Sequence, residues 1–324
     1  MQIIELDFQN PDWLLIRQAL SLALLRNQPI TIAGGAAFLG DHGEYRPLFD
    51  DMDRAVTSMG AGRLAIDGDS ILYEPKPLRP GRFRFETGRF SSSIEILLFM
   101  MPALFCNDFR SILELSGVTH SPLSCPTAFV KETLLTAMER LGFYGSLTLK
   151  RFGFYGSGGG AMESRIYPRE KGAGGALTGC AKASLAGAKI FISRLDTGLA
   201  ELEKSMLMER LGLDENRIAI IEVMESDGPG NSVLVFADCS GLPVVLFREM
   251  RIYAENGEII FSEEALQGEI TVIETEANAL KNGILPERVI RELCPYFILS
   301  GNEDGPAGKS SRIDMTRGLC EKFF

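Results

Sequence analysis

The stretch GRFRFETGRFSSSIEILLFMMPALFCNDFRSILEL, residues 81–115, reads as strand, helix, strand. Phe83 and Phe85 alternate with Arg82 and Arg84, the period-two pattern of a half-buried strand over Arg82–Glu86. Ser91–Phe105 is the apolar run of a buried helix, and SILEL, Ser111–Leu115, is a second short strand. Downstream, Val130, Leu134, Met138 and Leu141 share a helical face closed by Gly142. Strands over Ser146–Lys150 and Ala161–Tyr167 then flank the loop FYGSGGG, residues 154–160.

The same order stands upstream. Ile3–Leu6 is a strand, Trp13–Leu25 a helix that is apolar nearly all round, and Pro29–Ile32 a strand. Leu48, Met52, Val56 and Met59 stripe an amphipathic helix, with Pro47 suited to its first turn and Gly60 to its end. RLAIDGDSILYE, residues 63–74, is a hairpin turning at Asp67–Gly68. Two βαβαββ units thus stand in tandem over residues 1–180, which implies one shared core.

Gly172–Gly179 reads as a Gly/Ala-rich linker, and the chain then changes character. AKIFIS, a helix near Leu199–Leu211, RIAIIEV, SVLVFADC and PVVLFREM predict a small inserted α/β domain over residues 181–262. Leu266, Ile270, Ile273, Ala277 and Leu280 mark a long helix ended by Gly283. Pro286 opens another toward Leu299, and Pro295 inside it predicts a kink or an early end. Residues 263–324, closed by SSRIDMTRGLCEKFF, are the remainder of a third unit. The expected fold class is α+β: three tandem βαβαββ units with a small α/β insert.

Bulk composition bounds the function. The chain has 324 residues, 45% of them hydrophobic, and a net charge of −10. An acidic protein lacks the broad basic field of a nucleic-acid binder, so RNA contact requires a local patch. Six scattered cysteines without a C-x-x-C pair predict reduced thiols, neither a disulfide frame nor a zinc site. No membrane span and no signal sequence is legible, which leads to the expectation of a soluble, cytoplasmic protein.

Several segments, in the right order on this repeat plan, resemble the RNA 3′-terminal phosphate cyclase family. GRFRFETGRFSSSIEILLFMMPALF resembles its Gly-Thr-Ala-Gly-Ser stretch followed by an apolar helix. LELSGVTH resembles its strand ending in Gly-Gly-Thr-His, FGFYGSGGGAME its glycine-rich segment, ERVIRELCPY its catalytic helix, and IRQALSLAL its first helix. The resemblance implies three repeated units with an insert in the third, a plan shared distantly with enolpyruvyl transferases. It also implies an ATP- and Mg-dependent reaction, in which a histidine nitrogen is adenylylated before AMP passes to an RNA 3′-phosphate.

By that resemblance Arg288 occupies the histidine position, with Arg291 and Glu292 where the family has Asp and Gln. A guanidinium has no lone pair to offer and cannot serve as the nucleophile. The family's N-terminal glycine run corresponds to FQNPDWLL, in which Pro11 lacks an N–H and Trp13 replaces a glycine. Its Arg-Ala-x-Arg segment falls in GGAAFLG, without arginine, and Leu98 replaces a glutamine. The expectation is a cyclase-like protein with no catalytic residue and no bound cofactor. Its partners would be RNA 3′ ends or structured RNA in a processing or assembly role, or a protein bound as scaffold. An active cyclase using another nucleophile is the enzymatic alternative.

The candidate phosphate- or RNA-binding residues are Arg17, Arg46, Arg89, Arg151, His120, Arg288 and Arg291. Arg17, on an apolar helix, requires either a phosphate or a carboxylate. Arg46, Arg79, Arg82, Arg84 and Arg89 interleave with Phe83, Phe85 and Phe90, a pattern that suits single-stranded RNA or a strand with one polar face. Lys150, Arg151 and Arg165 extend it. His120 reads more readily as a satisfied turn residue, and His42 as solvated. GSGGG, residues 156–160, reads as a connection rather than a phosphate cradle, and GPAGKSS, residues 305–311, lacks the first glycine of a P-loop.

Overall fold

The computed structural model describes residues 3–170, 180, 182–252, 262–301 and 310–324. The first unit contains β1 (Ile4–Asp7), α1 (Trp13–Arg26), β2 (Ile30–Ala33), α2 (Gly35–Asp41), α3 (Arg46–Ser58), β3 (Gly62–Asp67) and β4 (Ser70–Pro75). Its sheet runs β1-β2-β4-β3, parallel at β1–β2 and antiparallel beyond. The second unit contains β5 (Arg82–Glu86), α4 (Ser93–Phe105), β6 (Ser111–Gly117), α5 (Leu135–Arg140), β7 (Gly145–Arg151) and β8 (Gly160–Ile166). Its order, β5-β6-β8-β7, repeats the first with the same strand directions. α1 packs against α4, and nearly every side chain of both helices is buried, which explains why neither sequence shows a polar face.

The third sheet comes from β9 (Ala183–Ser193), α6 (Thr197–Leu211), β10 (Ile218–Glu222), β11 (Gly230–Cys239) and β12 (Leu242–Glu249). Its order is β10-β9-β11-β12, a different winding that marks it as a distinct kind of unit. α7 (Glu263–Lys281), α8 (Glu287–Ser300) and α9 (Ser311–Glu321) complete the chain. Among the described residues, this last part adds helices and no strand to the expected third unit. The Gly172–Gly179 linker and most of GPAGKSS lie outside the described residues; Ser310 caps α9 by accepting from Ile313 N.

Four expectations need correction. α2 was missed, because GGAAFLG carries two glycines and too little periodicity for a helix seven residues long. The Val130 stripe begins as a π-helical turn, Phe129–Leu134, before α5. α8 does not stop early: it runs through Pro295 to Ser300. Proline withholds the N–H that would reach the Arg291 carbonyl. Gln18 of α1 supplies the missing donor, with Nε2 2.6 Å from Arg291 O. Finally, Cys180 and Cys239 form a disulfide, with Cα atoms 5.3 Å apart, so the expectation of reduced thiols fails for this pair. Residues far apart in sequence carry no spacing signal for such a bridge.

Glycines dock the third sheet onto the second unit. Gly159, at φ +72°, lies so close to Asp227 that a Cβ would overlap its carboxylate. Gly230 lies against the Phe154 ring, which leaves no room for a methyl group. Arg151 pairs with Asp227 and donates to Glu225 O at 2.8 Å. Phe152 packs on Phe191 at 5.1 Å, and Val245 N donates to Thr133 Oγ1 at 2.9 Å. GSGGG is thus a docking loop. Gly230→Ala is expected to cost about 1–3 kcal/mol through overpacking. Urea denaturation would measure this, and Phe154→Leu should relieve part of the penalty; an equal penalty in both backgrounds would contradict the contact.

Inside the third unit, Glu203 is fully buried and accepts from Asn231 Nδ2 at 2.9 Å. Burial pushes its carboxyl up to about 7, against the opposing hydrogen bond from Asn231. The folded protein therefore holds a proton that the unfolded chain releases above its ordinary value of 4.5. This contribution is complete below that value, falls as pH rises toward about 7, and is level above. Glu203→Gln should gain up to about 3 kcal/mol relative to the unsubstituted protein between pH 4.5 and pH 8, read from paired unfolding curves.

Candidate functional site

Three helices converge on one ionic cluster. Arg17 of α1 is buried, its Nε 2.9 Å from Glu95 Oε2 of α4 and its Nη2 2.7 and 2.6 Å from the two carboxylate oxygens of Glu292 on α8. Burial alone would lower the guanidinium's pKa; Glu292 and Glu95 outweigh it and hold the value above the ordinary one. Glu95 also accepts from Trp13 Nε1 at 2.9 Å and Ser124 Oγ at 2.6 Å. Arg17 thus takes the carboxylate option, not the phosphate one.

Arg288 faces the same two carboxylates at longer range. Its Nη2 is 3.6 Å from Glu95 Oε1 and its Nε 3.8 Å from Glu292 Oε1, while its guanidinium lies 5.8 Å over the Phe247 ring. Arg291, one turn on, forks onto Asp12 at 2.6 and 2.7 Å and donates to Thr316 Oγ1 of α9 at 3.1 Å. Burial would raise the Asp12 carboxyl; the hydrogen bond and charge of Arg291 prevail and hold it below the usual range. Asp12 also caps α1 by accepting from Leu15 N at 3.0 Å.

Two cavities meet at Arg288. One, of about 380 Å³, is lined by Asp12, Trp13, Tyr45, Glu95, Arg291 and their neighbours. The other, of about 330 Å³, lies against Phe129, Val245, Phe247 and Glu249. Trp13 stacks on Tyr45 at 5.7 Å, and Tyr45 packs on Phe38 of α2. An aromatic cluster therefore fills the segments that the cyclase resemblance equates with phosphate-facing glycines and arginines. Cys125, beside the cluster, is fully buried and its thiol is pushed up to about 12 by burial, so it is inert as a nucleophile.

The other candidates lie elsewhere. His120 is buried, stacked on Phe152 at 4.7 Å, with Thr119 Oγ1 2.9 Å from Nδ1; burial lowers its pKa to about 3, so it stays neutral. Arg46 pairs with Asp50 at 2.8 Å on its own helix. Arg82 and Arg84 share Glu114, and Lys150 and Arg165 share Glu163, which makes this stretch the polar face of a sheet. Arg89 is exposed and lies 4.9 Å over Phe90, which contacts Tyr155, itself under Arg251. Arg17, Arg288 and Arg291 are thus brought together, while Arg89 and Arg151 stand at the glycine loop. The sequence reading missed Glu95, Asp12 and Tyr45; Glu95 is the one charge in an otherwise uncharged helix, and that was its signal. Among the described residues, no group of three or more metal-ligating side chains forms, and no helix is long and apolar enough to cross a membrane.

Tandem βαβαββ units and a cleft whose ionic groups come from α1, α4 and α8 define a repeated α+β protein with a smaller appended sheet at its cleft. Residues 52–301 match the family described as RNA 3′-terminal phosphate cyclase, and the chain belongs to that family. An RNA 3′-terminal phosphate cyclase from Pseudomonas fluorescens is 30% identical over 240 residues, 72% of this chain and 68% of that protein. One from Koribacter versatilis is 27% identical over 260 residues, covering 80% and 71%. One from Pseudomonas aeruginosa is 29% identical over 245 residues, covering 73% and 70%.

The buried cluster is expected to behave as a unit. Arg17→Ala should cost about 3–5 kcal/mol, because two buried carboxylates lose their closest partner. Arg17→Met combined with Glu292→Leu should cost clearly less than Arg17→Ala alone. Denaturant unfolding of the three proteins would test this ordering.

Proposed function

We propose that this chain is a cyclase-family protein without adenylyl transfer, which acts on RNA by binding rather than by chemistry. The observation that carries the reading is Arg288: in the position that the resemblance gives to the nucleophile stands a guanidinium beside Glu95 and Glu292. Burial would lower its pKa; nearby Cys125 and the two carboxylates hold it above the ordinary value, and a cation with no lone pair cannot attack a phosphate.

ATP with Mg does not fit the surrounding groups. The polyphosphate would meet Asp12, Glu95, Glu276 and Glu287 in the larger cavity, against Arg288, Arg291 and Arg312. The N-terminal turn offers Pro11, Asp12 as helix cap and the stacked Trp13, where backbone N–H groups would be needed.

The relatives are named for action on RNA 3′ ends, and the surface of Arg89, Phe90, Tyr155 and Arg251 combines cations with rings as single-stranded RNA contacts do. A second reading, a protein-binding scaffold, is favoured by the carboxylates that occupy the other cations of the basic stretch.

Incubation with α-labelled ATP should leave no label on the denatured protein, and Arg288→His alone should not restore it; a covalent adenylate on the unsubstituted protein would overturn the reading. In a gel shift at moderate salt, RNA should be retained and Arg89→Glu should weaken it about tenfold, the order expected for one reversed contact. Absence of any RNA shift would leave the scaffold reading in its place.

A further inference from the structure

Arg288 differs from the other two cleft arginines. Arg17 and Arg291 each fork onto a carboxylate within hydrogen-bond distance. The contacts of Arg288 to Glu95 and Glu292, at 3.6 and 3.8 Å, are too long to be hydrogen bonds. Its Nε is buried without an acceptor, while 31% of the side chain remains accessible. Among the described residues, no group accepts a hydrogen bond from this guanidinium, although it has five N–H donors.

The 330 Å³ cavity is of ligand size, at the lower end of the roughly 300–1,000 Å³ of small-molecule pockets. Phe129, Val245 and Phe247 give it apolar walls, and Arg288 lies over the Phe247 ring. Glu249 also lines it, buried and accepting from Ser232 Oγ at 2.6 Å. Burial raises the Glu249 carboxyl well above its ordinary range, against the opposing hydrogen bond from Ser232.

Charge limits what can enter. Arg17 and Arg288 balance Glu95 and Glu292, while Glu269 and Glu276 at the same cavity have Arg248 as their common partner. These four carboxylates and three arginines leave no surplus positive charge, so what Arg288 offers is N–H donors without an acceptor; a monoanion adds the least repulsion there, and a phosphate dianion or a polyphosphate adds more. We propose that this cavity binds a small planar monocarboxylate, its carboxylate on the Arg288 guanidinium and its apolar body between Phe129 and Phe247. The site goes beyond the reading above and stands independently of any RNA contact.

Benzoate is the probe, titrated calorimetrically into the full-length protein at neutral pH. Saturable binding of one equivalent is expected. Arg288→Gln should weaken it about tenfold or more, the loss of one charge-assisted fork. Val245→Trp, a larger side chain in the cavity wall, should abolish it and carries the test if Arg288→Gln fails to fold. No saturable benzoate binding, or binding indifferent to Val245→Trp, would overturn the proposal. So would AMP or inorganic phosphate binding more tightly than benzoate and displacing it.

Discussion

One buried arginine joins three parts of the molecule. Arg17 lies between Glu95 and Glu292, and the pairing with Glu292 spans 275 positions of sequence. The cluster ties the first unit, the second unit and the C-terminal helices at a single point. Burying charge is costly, and such a group persists only where each member is matched. Here one arginine faces two carboxylates, so the core holds one surplus negative charge until Arg288 is counted. Arg288 is therefore part of the balance. A neutral imidazole in its place would leave the Glu95–Glu292 pair under-compensated. On the proposed reading, the residue that stands in the nucleophile's position also neutralises the core, so a single substitution back to histidine would disturb the charge balance.

Several elements were legible because their sequences obey simple rules. α3 carries a stripe at helical spacing, and the Asp67–Gly68 turn announces its hairpin. The matching orders β1-β2-β4-β3 and β5-β6-β8-β7 follow from a repeat that could be read directly from element succession. The failures have physical causes as well. Pro295 signals the end of a helix only if no other donor replaces its absent N–H, and the donor comes from Gln18, a residue no local window contains. The Cys180–Cys239 pair is likewise a product of tertiary approach. The site was legible in part. Arg17, Arg288 and Arg291 were singled out and do converge, and Glu292 was named beside them, yet Glu95 was not chosen, because an acidic residue in a helix is ordinarily a solvated one.

The glycine loop shows how one composition can serve two unrelated ends. Gly156–Gly160 has the look of a phosphate cradle, since both a phosphate and a neighbouring backbone need close approach. What occupies the space is Asp227, with Arg151 as its partner, while Gly230 leaves room for the Phe154 ring. An acidic side chain against the loop disfavours an anion there, whatever the freedom of the glycines. The loop's permissiveness goes into fixing the small sheet against the second unit, and with it the Val245–Glu249 wall of the cavity beside Arg288.

That wall determines what the cleft can accept. β12 brings Phe247 under Arg288 and places Glu249, its carboxyl pushed up by burial, in the same lining. The helices bring the opposite character: Glu269 and Glu276 from α7, and the balanced cluster from α1, α4 and α8. A cavity of this kind has one under-coordinated cation, aromatic walls and no spare positive field. Coulomb's law in a partly buried site makes each added negative charge costlier than the last. On the proposed reading the charge count of the cluster disfavours a polyphosphate, so stability and ligand choice draw on the same four side chains.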